Sequence, residues 1–115
     1  MPHILIEYSK TLGEIIDSPA LVLSLHETLA AQGVNKSAIR TRSRMCRYAA
    51  VGEQDLHGHM IHVTLALKAG RDKDTKHRYA EALFGVLKEH VTEKVKACAI
   101  SMEIRDMDAD MYYTT

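Results

Sequence analysis

Pro2 is the first residue whose type and place could do chemistry. Once Met1 is removed, Pro2 carries a secondary amine at the head of the apolar stretch PHILIEYS. A chain-terminal amine titrates near ~7.7–8.0, and burial beside cations lowers that value, so this nitrogen could act as a base near neutral pH. With Met1 attached, the nitrogen is a tertiary amide and has no basic lone pair. The plainer alternative is that a proline after methionine only marks a processed N-terminus. Arg40, Arg42 and Arg44 alternate with Thr41 and Ser43, and on a strand they share one face. Guanidinium forks suit carboxylates, which makes the row a candidate anion site. A charged, solvated strand edge that discourages aggregation is the alternative. Arg71 follows Gly70 at the end of a strand-like run. His57, His59 and His62 look like metal ligands at first sight. However, His59 and His62 point to opposite faces of a strand, and no cysteine or carboxylate completes a recognised spacing. No metal site is expected.

The elements that must position these residues follow from periodicity. Residues 3–8 alternate, with Ile4, Ile6 and Tyr8 on one face and His3, Leu5 and Glu7 on the other. Leu5 makes the second face partly apolar, so this strand is expected to be central. Residues 9–17 read as a connection. Asp17 or Ser18 can cap a helix with Pro19 in its first turn, and Leu21, Val22, Leu25 and Leu29 recur at helical spacing. That helix is expected over 18–31, stopping near Gly33. Residues 38–49 read as a strand and 51–58 as a loop or hairpin turn. Residues 59–67 are the clearest strand, with Ile61, Val63, Leu65 and Leu67 on one face. Asp72, Asp74 or Thr75 can cap a helix of about 74–95, striped by Tyr79, Leu83, Val86, Leu87, His90, Val91 and Val95. Cys98, Ile100, Met102 and Ile104 alternate in a fourth strand. The tail from Asp106 shows no pattern and is expected to be disordered, extended or at a subunit interface.

The order is strand–helix–strand twice. Each returning strand should lie parallel to the first of its pair, with a right-handed crossover. The expectation is an α+β fold, β-α-β-β-α-β, with two helices on one face of a four-stranded sheet. The other face then needs a partner, so an oligomer is expected. Pattern alone leaves open a ferredoxin-like module.

Composition narrows the function classes. The chain has 115 residues, 46% of them apolar and 5% aromatic, as expected for a single domain, 1–115. Fifteen basic and fifteen acidic side chains give zero formal charge. That balance offers no argument for nucleic acid or an anionic membrane as partner. No apolar run approaches the ~20 residues of a membrane helix, and no signal-peptide pattern opens the chain. Cys46 and Cys98 read as reduced core thiols of a cytoplasmic protein.

Four stretches taken together resemble a known family. MPHILIEYS, DSPALVLSLHETLAAQGV, AIRTRSR and HVTLALKAGRDKDTKHRYAEALFGVLKEHV resemble, in this order, 5-carboxymethyl-2-hydroxymuconate isomerase of the tautomerase superfamily. The resemblance runs from Pro2 to about Arg105. It implies a homotrimer of β-α-β-β-α-β subunits with sites near the interfaces and no metal or organic cofactor. It implies Pro2 as catalytic base and Arg40, Arg42 and Arg71 as groups that bind the carboxylates of a di- or tricarboxylate substrate. Arg40 and Arg71 are further implied to stabilise developing charge, while Arg44 departs from the pattern and reads as structural. The implied reaction is a 1,3-allylic proton shift giving a conjugated 2-oxo-enedioate, in the breakdown of aromatic compounds. Two alternatives stand beside it: another keto–enol tautomerase using the same Pro2, and a non-catalytic ferredoxin-like ligand-binding module.

Overall fold

The computed structural model describes residues 2–115; Met1, whose removal the Pro2 chemistry requires, lies outside the described residues. Strand β1 (His3–Ser9) buries Ile4 and Ile6 completely, as its period-two pattern requires. The expected connection at 9–17 contains a helical turn, α1 (Lys10–Gly13), which drives Leu12 into the core. Helix α2 (Ser18–Ala31) begins where expected. The Asp17 carboxylate accepts from Ala20 N at 3.1 Å, and Leu21, Leu25 and Leu29 form its buried stripe. Gly33, at φ +97°, supplies the left-handed turn after it.

Strand β2 (Arg40–Cys46) is shorter than the expected 38–49. The residues before it form a 3-10 turn (Lys36–Ala38), and further 3-10 turns occupy Gly52–His57. Strand β3 (Met60–Lys68) buries Ile61, Val63, Leu65 and Leu67 completely. Helix α3 (Lys73–Thr92) is capped by Asp72 and turns Tyr79, Leu83, Leu87 and Val91 inward. Strand β4 (Ala99–Met107) completes the sheet.

The sheet order is β2-β1-β3-β4. Parallel pairs β1–β2 and β3–β4 meet at an antiparallel β1–β3 seam. β1 is therefore central, as its two-sided apolar content predicts. In a split βαβ unit another strand lies between the two parallel partners. Here each parallel pair is directly adjacent, which removes the ferredoxin-like arrangement. Ile4 pairs with Leu65 and Ile6 with Val63, so the inward residues of β1 and β3 share one face. Helices α2 and α3 pack on that face and on each other, and one continuous core fills the space between. Among the described residues, the opposite face carries no helix. Among the described residues, no helix is long and apolar enough to cross a membrane.

Candidate active site

The β1–β2 pairing builds one end of the candidate site. Pro2 is buried, and its carbonyl accepts from Arg40 N at 3.0 Å. From there the register runs His3 to Arg40, Leu5 to Arg42 and Glu7 to Arg44. The arginine row therefore stands beside the outward row of β1, on the helix-free face. Thr41 points the other way and meets His26 Nδ1 on α2 at 2.8 Å. All three arginines are exposed. Arg40 turns back along its own chain, its Nη1 donating to the carbonyls of Ser37 at 2.9 Å and Ile39 at 3.3 Å. Arg42 Nη1 lies 3.1 Å from His3 Nδ1. Arg44 makes only a loose ion pair with Glu7, at 4.0 Å, and an exposed pair of that length contributes little.

Arg71 reaches the same end from the other side of β1. β3 runs antiparallel to β1 with His3 opposite Ala66, so β3 finishes beside the start of β1. Gly70, at φ +125°, turns the chain away from the sheet before Asp72 opens α3. Arg71 is half-buried there, and its Nη1 reaches the Lys68 carbonyl at 3.5 Å, the outer limit of a hydrogen bond. Hydrogen bonds from Thr75 hold the neighbouring Asp72 carboxyl below its usual range.

Three residues missed in the sequence join this end. Tyr112 Oη lies 2.8 Å from His3 Nε2. The two rings meet edge-on, centroids 5.8 Å apart at 70°. Lys68 Nζ sits 5.6 Å from the centroid of the Tyr112 ring. The tail, read as patternless, thus forms a 3-10 turn (Ala109–Met111) and seats Tyr112 on its own chain. Burial first, and then the Arg42 charge, lowers the pKa of His3 below its ordinary value. The one available signal was that His3 shares the face of the arginine row.

The remaining candidates are dispersed. His57 is exposed, and His59 bonds Thr11 at 3.0 Å. His62 contacts Ser101 at 2.7 Å and Glu103 at 2.6 Å, with Arg105 on the far side of Glu103. Among the described residues no group of three or more His, Cys, Asp or Glu could hold a metal ion. Cys46 and Cys98 are free thiols, half-buried at the margin of the core rather than inside it. Burial raises the Cys98 pKa, which makes it a poorer nucleophile. An apolar groove of about 570 Å³ opens between α3 and β4, lined by Ala80, Phe84, Met102 and Ile104 among others. None of Pro2, Arg40, Arg42 or Arg71 lines it.

A family model described as 5-carboxymethyl-2-hydroxymuconate isomerase matches residues 2–115. The 5-carboxymethyl-2-hydroxymuconate Delta-isomerase of Escherichia coli is 32% identical over 112 residues, spanning 93% of this chain and 87% of that protein. The crystal structure of a 5-carboxymethyl-2-hydroxymuconate isomerase from Deinococcus radiodurans R1 has a TM-score of 0.90 at 25% identity, covering 99% of this chain and 88% of that one. A further crystal structure, of a 5-carboxymethyl-2-hydroxymuconate delta-isomerase, has a TM-score of 0.85 at 17% identity, covering 100% and 87%. That last likeness speaks for the fold alone.

Proposed function

Because the chain belongs to the 5-carboxymethyl-2-hydroxymuconate isomerase family, we propose that Pro2 is the general base of a 1,3-allylic proton shift on 5-carboxymethyl-2-hydroxymuconate. The chain is an isomerase of the tautomerase superfamily. With Met1 removed, the Pro2 nitrogen takes the proton of the 2-hydroxyl group of the dienol. The resulting dienolate is neither oxidised nor reduced. The protonated amine returns a proton to C5, the far end of the dienolate, leaving a conjugated 2-oxo-enedioate and a free amine; relative to the keto tautomer protonated at C3, the net change is the 1,3-allylic shift. One group is base in the first half and acid in the second.

The observation that supports this reading is the hydrogen bond from Arg40 N to the Pro2 carbonyl, which puts the proline at the head of the arginine row. Low polarity and nearby guanidinium groups disfavour the ammonium form and keep the lone pair available. Arg40, Arg42 and Arg71 bind the substrate carboxylates, and Arg40 and Arg71 also stabilise the dienolate oxygen as charge develops. To turn toward substrate, the Arg40 Nη1 gives up its hydrogen bond to the Ser37 carbonyl and Arg71 only a marginal contact with the Lys68 carbonyl. The family resemblance implies a homotrimer as the working form, and it fits the sheet face of the arginine row, which among the described residues carries no helix.

The test is a spectrophotometric isomerisation assay on protein whose intact mass shows Met1 removed. Pro2→Ala should lower kcat/KM by about 10²–10⁴-fold, the usual contribution of a positioned general base. Equal rates for Pro2→Ala and the parent would remove Pro2 from the mechanism. No turnover by the processed parent would move the substrate to another keto–enol compound.

A further inference from the structure

The hydrogen bonds around His3 have only one consistent direction. A guanidinium group donates and never accepts. His3 Nδ1, 3.1 Å from Arg42 Nη1, is therefore the acceptor and carries no proton. A neutral imidazole then holds its proton on Nε2, and that proton goes to Tyr112 Oη at 2.8 Å. The Tyr112 hydroxyl is thereby an acceptor from His3, and its own proton must point elsewhere. No other described residue takes it.

The place where that proton is offered is informative. Arg40, Arg42, Arg71 and Lys68 stand at the same end of the sheet, and their charged groups can only donate. The Lys68 ammonium, 5.6 Å from the Tyr112 ring centroid, adds a further cation beside the ring. We propose that Tyr112 is a substrate-binding residue that donates its hydroxyl proton to a substrate carboxylate, and that His3 is the positioning residue that aims it. The chain of donors runs Arg42, His3, Tyr112, carboxylate. This rests on the reading that substrate carboxylates bind at the Pro2 end, and it makes the C-terminal tail part of the site.

Steady-state isomerisation of 5-carboxymethyl-2-hydroxymuconate by Met1-processed parent, Tyr112→Phe, His3→Ala, His3→Gln and the Tyr112→Phe/His3→Ala pair tests this. Tyr112→Phe keeps the ring on His3 and removes only the hydroxyl. Its KM should rise about 10- to 100-fold, the worth of a hydrogen bond to a charged group, with kcat unchanged. The paired variant should be no worse than the poorer single one, because both substitutions break one chain. Glutamine offers an acceptor and a donor together, so His3→Gln should recover most of what His3→Ala loses. A role confined to holding the tail would lower thermal stability and leave KM alone. An unchanged KM in Tyr112→Phe, or a loss confined to kcat, overturns the proposal. A parent that turns nothing over defeats the assigned reaction instead, and calorimetric binding of muconate then decides. Weaker binding by Tyr112→Phe in the same range supports the proposal. Equal affinities, or no binding by the parent, overturn it.

Discussion

His3 leaves a pH signature of its own. Its folded-state pKa lies below the ordinary 6.5, through burial first and then the Arg42 charge. Below about 6.5 the unfolded chain takes up this proton, while the folded chain resists until a lower pH. In that window the unfolded state binds more protons, so stability is fully present above 6.5 and falls as pH drops through the folded value. The groups acting on His3 are Arg42 from β2, the chain-terminal amine, Arg40 from β2 and Tyr112 from the tail, with Lys68 behind the tyrosine. Ala66, opposite on β3, is neutral. Glu103 acts in a different window. Hydrogen bonds from Arg105 and then His62 lower its pKa from 4.5, so its contribution is lost only as pH falls below that value. Urea midpoints measured from pH 7 to 5 should therefore fall more steeply for the parent than for His3→Gln. Parallel slopes would mean that the imidazole titrates as it does in the unfolded chain.

At the scale of elements, two glycines give opposite expectations for one substitution. Gly70 has φ +125°, with nothing within 4 Å of an added Cβ. The penalty for Gly70→Ala is therefore purely conformational, about 1–3 kcal/mol, and the strained turn should also displace Arg71 and raise KM. Gly85 lies inside α3, again with nothing within 4 Å of the added carbon. Gly85→Ala should stabilise by about 0.4–1 kcal/mol, because it restricts the unfolded chain. Chemical denaturation of both variants checks the pair, and effects of the same sign would contradict the backbone argument. These turns and helices were legible because their signals are local. Asp17, Pro19, Gly33 and Asp72 mark helix ends, and the stripes of α2 and α3 name their buried faces. The four-residue α1 is too short to show a period. The end of β2 was misread for a different reason. Arg47 and Tyr48 continue a strand-like pattern, but β1 ends at Ser9, opposite Cys46, and offers nothing further to pair with. Pattern likewise gave the parallel pairs but not the β1–β3 seam that joins them. The shared face of Arg40, Arg42 and Arg44 was readable from period two, whereas the roles proposed for Pro2 and the arginines come from the family resemblance. The His3–Tyr112 contact joins residues 109 positions apart, which no local spacing reveals.

At the scale of the molecule, the sheet is finished on one side only. The helices cover the face that carries Ile4, Ile6, Val63 and Leu65, while the other carries Leu5, His62, Thr64 and Glu103, with no helix over them among the described residues. Both outer strands, β2 and β4, have an unpaired edge. Half-buried apolar residues on β4, Ile100, Met102 and Ile104, stand next to that edge. Exposed strand edges of this kind are pairing sites unless covered. The arginine row lies on the uncovered face, so under the proposed function a single chain would give the substrate a floor of arginines and no walls. A base whose pKa depends on low polarity needs those walls. The homotrimer proposed above would meet both requirements if further copies sat against the bare face and edges. Sedimentation equilibrium should give the mass of three chains at working concentration. Specific activity should then fall together with that mass on dilution, because dissociation returns water to the arginine face. Full activity at the mass of one chain would show that a single sheet completes the site, and that the uncovered face has some other use.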